Sequence, residues 1–217
     1  MEKLRRVFLG AKIKRRHHRE VALAQDIVVE IFSSLFPRGV LYGGTAIWRC
    51  YSGNRFSEDI DVYMEKNLGK IDEMFQMLEK RGFTVVKKRI KENSLYSTLK
   101  LGDAEVRLEA SFRRVDGIIA EYETCEGNLL SVRTLPPDIL LDEKIEAYLA
   151  RRKVRDLYDA FFLLRHLEKT EKIKSELLKL VQNYKPPVDE KELKVLILFG
   201  LVPSANDMIE YIKRWAG

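Results

Sequence analysis

The sequence changes character at the double proline Pro136–Pro137. A proline has no backbone N–H to give to a strand ladder, so two in succession end a strand, while Asp138 is suited to cap a following helix. The chain before this point mixes strand and helix patterns, and the chain after it has helical apolar spacing to the end. We therefore predict two domains, residues 1–135 and residues 136–217.

The first domain combines helices with the strands of one sheet. A helix is predicted over 19–36, and "GVLYGG" predicts a buried strand that runs into a glycine turn. "TAIWRCY" has the composition of one or two helical turns, and "DIDVYM" alternates as a strand does. A helix over 70–80 precedes three strand-like runs, "FTVVKKRI", "SLYSTLKL" and "AEVRLEASF", and two further strands are expected around "IIAEYET" and "LLSVRTL".

The second domain is predicted to be a helical bundle. Apolar spacing places its helices at 139–151, 154–166, 171–184, 190–199 and 205–215. The fold class expected for the whole chain is therefore α/β (α+β), with a mixed sheet in the first domain and C-terminal helices.

Composition indicates a protein of the cytoplasm with no membrane span. The chain is 46% apolar and 33% charged, and no apolar run approaches the roughly 18 residues that a spanning helix needs. Cys50 and Cys125 lack zinc-site spacing, so we expect reduced thiols. The net charge of +6 is concentrated in "KIKRRHHRE", which is either a patch for nucleic-acid phosphates or a solvated, partly disordered tail.

Two carboxylates separated by one apolar residue indicate a metal site. Strand alternation puts Asp59 and Asp61 on one face and Ile60 and Val62 on the other. Two like charges so close would repel, and a bound divalent cation removes that penalty. Mg²⁺, or Mn²⁺, fits because it takes oxygen ligands and shares the phosphates of its substrate.

The residues before this pair are suited to hold phosphate. Gly43 and Gly44 allow close backbone approach, and the N–H groups at the start of the next helix bind anions. Thr45 adds a hydroxyl donor, and Arg55 and Ser57 are candidates for contact with phosphate or ribose. Together these features predict a site for a metal-bound nucleoside triphosphate (NTP).

The longer pattern "GGTAI…RFSEDIDV" resembles the AbiEii/AbiGii toxin family of nucleotidyltransferases, within the DNA polymerase β-like superfamily. This resemblance implies a third carboxylate on a later strand, and in "EVRLEASF" the candidate is Glu109. The superfamily usually has aspartate there. Glu109 is either a ligand of the metal together with Asp59 and Asp61, or it is neutralised by Arg107.

A second group of charged residues lies in the helical domain. Lys144, Arg151, Arg155 and Asp159 follow one another at intervals of seven, four and four, and on a continuous helix they would lie within about 80° of one another. Asp156, at about 120° from Lys144, is the less suited partner of the lysine. Such a face either binds triphosphate or forms an intramolecular ladder of ion pairs. The AbiEii-type order of Lys, then Arg, then Arg-Asp-x-x-Asp favours the first interpretation.

The resemblance implies metal-dependent transfer of a nucleoside monophosphate from an NTP to an acceptor hydroxyl. The acceptor would be RNA, tRNA-like, and the protein would be the toxin of a toxin–antitoxin pair with an antitoxin partner. Lys144 would neutralise phosphate charge, with Arg55 or Arg151, and Glu109 or Asp159 would deprotonate the acceptor. The alternatives are an inactive regulator that binds nucleotide or nucleic acid, and a transferase that modifies hydroxyls of proteins or small molecules.

Overall fold

The computed structural model describes residues 8–217, which divide into two compact units. The first unit comprises the described residues up to Ser52 together with Phe56–Thr134. The second comprises Gly53–Arg55 and Leu135–Gly217, so three residues from the first half of the sequence belong with the C-terminal helices.

The first unit contains a seven-stranded mixed sheet and helices. The strands are β1 (Val40–Tyr42), β2 (Asp59–Met64), β3 (Thr84–Ile90), β4 (Ser94–Leu101), β5 (Ala104–Phe112), β6 (Ile118–Glu123) and β7 (Leu129–Thr134). The helices are α1 (Leu9–Lys12), α2 (Arg16–Leu35), α3 (Gly43–Cys50) and α4 (Leu68–Lys80). The sheet order is β3-β4-β5-β2-β1-β7-β6, with β2 parallel to β5, β1 parallel to β7 and the remaining pairs antiparallel. The predicted fold class is confirmed.

Alternation along β2 and β5 separates the core from a polar face. Ile60 and Val62 of β2 are fully buried, and so are Val106 and Leu108 of β5. The helices α2 and α4 pack against each other, and α2 also packs against β5. The residues between the buried ones point to the opposite face, and this face carries Asp59, Asp61 and Glu109.

The N-terminal basic segment is partly helical. Helix α2 begins at Arg16 rather than at the predicted residue 19, so residues 16–20 of "KIKRRHHRE" form its first turn. His18 is buried and stacks on Phe56, with ring centroids 4.0 Å apart. The interpretation of this segment as a disordered tail is therefore wrong for residues 16–20.

A buried arginine fixes α3 to the rest of the first unit. The Arg49 guanidinium donates to the carbonyl oxygen of Ala22 at 3.1 Å, to the hydroxyl of Tyr122 at 3.0 Å and to the carboxylate of Asp26. The Asp26 carboxylate also accepts from the backbone N–H of Cys125 at 2.8 Å. Since a buried charge is tolerated only when it is paired and hydrogen-bonded, this network determines where α3 lies.

The second unit contains α5 (Pro137–Arg151), α6 (Val154–Leu163), α7 (Glu171–Gln182), α8 (Leu193–Leu196) and α9 (Ala205–Ala216). Helix α5 ends where Arg152 adopts a left-handed conformation, with φ of 51°. The predicted helix over 190–199 is wrong in extent. A 3-10 turn at Glu190–Glu192 leads into the single turn of α8, because Ile197 leaves the helix and forms a β-bridge with Arg55. No helix among residues 8–217 is long and apolar enough to cross a membrane.

Candidate functional site

The glycine turn after β1 lies directly against the second aspartate of β2. Gly43 has a φ of +73°, and a Cβ atom built on it would be 2.5 Å from Oδ2 of Asp61. Only glycine adopts this conformation without strain and also leaves room for the carboxylate. Gly44 follows in the first turn of α3 and is buried. The sequence motif therefore brings a helix N-terminus and a carboxylate together.

Thr45 has a different role from the predicted one. Its side chain is completely buried, and its hydroxyl donates a hydrogen bond to the backbone carbonyl of Asp59. This bond connects the start of α3 to the start of β2. The structure thus gives the Thr45 hydroxyl a partner inside the protein in place of the predicted phosphate.

Parallel pairing of β2 with β5 aligns the acidic residues. Asp61 is the register partner of Glu109, and Asp59 is the register partner of Arg107. Register partners on adjacent strands project from the same face, so Asp61 and Glu109 are neighbours. Glu109 is exposed, and it has no ion-pair partner within residues 8–217.

Arg107 pairs with Asp59 and does not neutralise Glu109. Its Nε lies 2.6 Å from Oδ1 of Asp59, and its Nη2 lies 3.8 Å from Oε2 of Glu58. The alternative in which Arg107 neutralises Glu109 is therefore wrong. The two residues project from the same face, but the register sets Arg107 beside Asp59.

The donor set on this face fits a magnesium-type ion that shares its ligands with a substrate. No group of three or more acidic, histidine or cysteine side chains in the described part of the chain is arranged to hold a metal ion by itself. Asp59 and Asp61 supply carboxylate oxygens from one strand, and Glu109 supplies another from the next strand. Because Mg²⁺ keeps several waters and usually takes only one or two carboxylates plus phosphate oxygens, this incomplete set is appropriate for it.

Two other predicted phosphate-binding residues are buried in the protein. Ser57 is buried, and its backbone carbonyl accepts a hydrogen bond of 2.8 Å from the side chain of Gln25. Arg55 belongs to the second unit, where its guanidinium holds the Asp159 carboxylate with two bonds, Nε to Oδ1 at 2.7 Å and Nη2 to Oδ2 at 2.8 Å. Its charge is therefore balanced within that unit.

The second unit gathers the predicted lysine, arginine and aspartate residues into an ion-pair network. Nζ of Lys144 lies 2.8 Å from Oδ2 of Asp159 and 3.6 Å from Oδ1 of Asp156. Arg151 binds the Asp156 carboxylate with two bonds of 2.8 Å. Both aspartates are almost completely buried. The alternative of an intramolecular network is therefore present in the structure, although its pairs differ from the i, i+4 pairs of a single helix.

The stripe that these residues would form on a continuous helix is absent, because α5 ends at Arg151 and α6 begins at Val154, as the separate predicted helices require. This break lets Asp156 also approach Lys144, but Asp159 is the closer partner, so Asp156 is the less suited partner of the lysine, as expected. Arg155, at the start of α6, is half-buried and has no ion-pair partner within residues 8–217.

Asp159 is poorly suited to act as a base. Burial by itself raises the pKa of Asp159, but Arg55 and Lys144 outweigh burial and hold the pKa below its ordinary value. Both carboxylate oxygens are engaged, and the side chain is 1% exposed. These contacts argue against the alternative in which Asp159 is the general base.

Comparison with known proteins identifies the family. Residues 26–203 match the family described as nucleotidyl transferase AbiEii toxin of type IV toxin–antitoxin systems. The chain belongs to this family. It is thus a transferase of the nucleotidyltransferase type, and no curated protein matches it significantly.

Solved structures share the fold of this AbiEii nucleotidyltransferase. JHP933 from Helicobacter pylori has a TM-score of 0.64 and 18% identity over 93% of each chain. A putative nucleotidyltransferase from H. pylori has a TM-score of 0.65 and 20% identity, covering 93% of this chain and 96% of the other. MenT4, a nucleotidyltransferase toxin from Mycobacterium tuberculosis, has a TM-score of 0.61 and 17% identity, covering 92% of this chain and 87% of the other.

Sequence reasoning missed the residues that support the site. Arg107 is the counter-ion of Asp59, and the parallel pairing that brings them together joins segments almost fifty residues apart. Asp26 and Arg49 fix α3, which carries the glycine turn. The signal for Arg49 was present, because an arginine in the apolar run "TAIWRCY" requires an acidic partner when it is buried.

Proposed function

We propose that this AbiEii nucleotidyltransferase moves a nucleoside monophosphate from an NTP to a hydroxyl of an RNA, with Mg²⁺ or Mn²⁺, as the toxin of a pair with an antitoxin protein. One observation carries the proposal. Asp59, Asp61 and Glu109 project from one face of two adjacent strands, and the glycine turn at Gly43 lies against Asp61. Carboxylates beside a phosphate-binding turn are what metal-dependent transfer from a triphosphate requires.

The reaction forms one bond and breaks one. The acceptor oxygen attacks the α-phosphorus, the bond to the β-phosphate oxygen breaks, and pyrophosphate leaves. Asp59 and Asp61 would hold the divalent ion, which when bound neutralises charge on the phosphates. Glu109 accepts the proton of the acceptor hydroxyl, and the N–H groups of the turn at Gly43 and Gly44 bind phosphate oxygens.

The second unit has cations that are suited to bind phosphate. Arg155 carries this role best, since Lys144 and Arg151 each contact a buried carboxylate in their own unit and Arg155 contacts none within residues 8–217. The function of Lys144 in phosphate binding stays a prediction. Comparing Arg155→Gln with Lys144→Gln tests it, because loss of NTP affinity without loss of stability identifies a substrate contact.

The experiment is incubation of the protein with each of the four labelled NTPs, Mg²⁺ or Mn²⁺, and total RNA or total protein. We expect label in RNA, and loss of labelling in Asp61→Asn. Glu109→Gln is expected to lower the rate by about 10²–10⁴, the usual contribution of a general base. The matched control is Glu105→Gln, which changes an exposed glutamate of the same strand, β5, and should leave the rate unchanged.

Two outcomes would refute the proposal. Label transferred to protein and not to RNA would show a different acceptor class. No labelling with any nucleotide, in a preparation that binds RNA, would favour a binding protein that has lost catalysis.

A further inference from the structure

The face that carries the acidic residues continues to the edge of the sheet. The partner of Glu109 on β4 is Tyr96, and the partner of Tyr96 on β3 is Arg89. Asp61, Glu109, Tyr96 and Arg89 therefore form a row across four strands on one face. The row connects the proposed metal site with the outermost strand.

Three cations and an aromatic ring lie at the outer end of this row. Lys87, Arg89 and Lys91 line a surface cavity of about 360 Å³ together with Tyr96 and Glu109. Nζ of Lys87 lies 5.0 Å from the centre of the Tyr96 ring. None of the three cations has an ion-pair partner within residues 8–217.

Lys88, which projects from the other face of β3, differs from these three cations because it has an ion-pair partner. Lys88 forms an ion pair of 2.7 Å with Asp72 and lies 4.4 Å from the ring centre of Phe75. Lysines on an edge strand can also serve to prevent strand pairing with other protein chains, and for that purpose they can project from either face of the sheet. On β3, however, the unpaired charge projects from the face that carries Glu109.

We propose that the strip formed by Lys87, Arg89, Lys91 and Tyr96 binds a single-stranded segment of the acceptor RNA and leads it to Glu109. This inference rests on the proposed function, of which it specifies the acceptor-binding surface. The cations contact phosphates, and the Tyr96 ring stacks on a base. The Tyr96 side chain is half-buried. Cations beside an aromatic ring on one surface are typical of proteins that bind single strands without reading sequence.

The test measures binding of a short fluorescent single-stranded RNA by anisotropy over a range of salt concentrations, with EDTA and without NTP. The triple variant K87Q/R89Q/K91Q is expected to reduce the slope of log affinity against log salt by about 2, or about 0.7 for each lost phosphate contact. Tyr96→Leu is expected to weaken binding about tenfold while the slope stays unchanged, because stacking does not involve ions.

Two matched controls keep the result specific. Lys88→Gln changes the adjacent residue of the same strand on the opposite face, and it should bind RNA as the wild type does. Tyr96→Phe keeps the ring, so it should retain the affinity that Tyr96→Leu loses. Circular dichroism of each variant confirms that the sheet is intact.

The experiments distinguish failure of the RNA-binding strip from failure of the proposed nucleotide transfer. If the triple variant loses affinity but the wild type transfers no nucleotide, the strip is supported and the proposed transfer is refuted. If the triple variant binds RNA as Lys88→Gln does, or if the label enters protein and not RNA, the strip is refuted.

Discussion

The close contact between Gly43 and Asp61 predicts that the variant Gly43→Ala loses nucleotide-transfer activity. The new Cβ would lie 2.5 Å from Oδ2 of Asp61, whereas carbon contacts in proteins are ordinarily about 3.5–4.0 Å. The carboxylate or the turn must therefore retreat by about 1 Å. Such a displacement of a group that positions the reacting atoms reduces the rate by about 10²-fold. We expect that loss in nucleotide transfer to RNA.

The free-energy cost of the left-handed backbone has to be separated from the effect of the contact between the new Cβ and Asp61. Gly43 has a φ of +73°, and an alanine in a left-handed conformation costs roughly 1–2 kcal/mol. Gly102→Ala is the matched control. Gly102 has a φ of +58° in the same unit, and a Cβ atom built on it meets nothing within 4 Å. Both variants should lose the stability that the backbone conformation costs, with any further loss in Gly43→Ala due to its contact with Asp61, and only Gly43→Ala should lose the rate.

The assay compares initial rates of label transfer for the two variants and the wild type, at saturating metal and below the unfolding transition. Gly102→Ala should remain within about twofold of the wild type, because its strain lies in an open turn. If Gly43→Ala transfers label as fast as Gly102→Ala does, the position of the Asp61 carboxylate does not control the reaction, and the assigned metal site is wrong.

Further predictions concern the ion pairs. Asp159→Asn removes the carboxylate that both Arg55 and Lys144 contact. It should destabilise the second unit by about 3–5 kcal/mol in urea unfolding, whereas Glu168→Gln, at an exposed position of the same unit, should not. Because the pKa of Asp159 is lowered in the folded state, its contribution is complete above the ordinary aspartate pKa of about 4 and is lost as pH falls through the lowered value. The stability of Asp159→Asn should therefore depend less on pH in acid. Arg107→Gln removes a partly exposed cation from Asp59 and should tighten Mn²⁺ binding by up to about fivefold. Electron paramagnetic resonance measures this affinity, and an unchanged value would contradict the pairing.

The parts of the fold that depend on local pattern were predictable from the sequence. "DIDVYM" forms β2 over Asp59–Met64 as its alternation predicts, and "AEVRLEASF" forms β5 over Ala104–Phe112. Three β-runs separated by short polar turns became β3, β4 and β5. The acidic residues of the site followed from the same alternation, because a period of two places Asp59 and Asp61 on one face.

The parts that depend on pairing between distant segments were not predictable in this way. The position of Arg107 beside Asp59 requires the register of two parallel strands, which alternation along either strand does not contain. The two bonds from Arg151 to Asp156 were not predicted either, because they depend on how the chain turns between α5 and α6, where Arg152 is left-handed. Arg55 illustrates the same limit, since its position in sequence places it with the Asp59 motif but its partner is Asp159.

The pairing of Arg107 with Asp59 explains how an acidic site can fold before it binds its substrate. Asp59 and Asp61 lie two residues apart on one face of β2, and without a counter-ion their charges would oppose folding. Arg107 offsets one of these charges, and the helix N-terminus at Gly43 lies against the other. Both partners come from the protein itself, so the carboxylates are held in place without a metal ion. Because the side chain of Arg107 is 40% exposed, its attraction for Asp59 is screened by water, and we expect the proposed divalent ion to replace it at little cost.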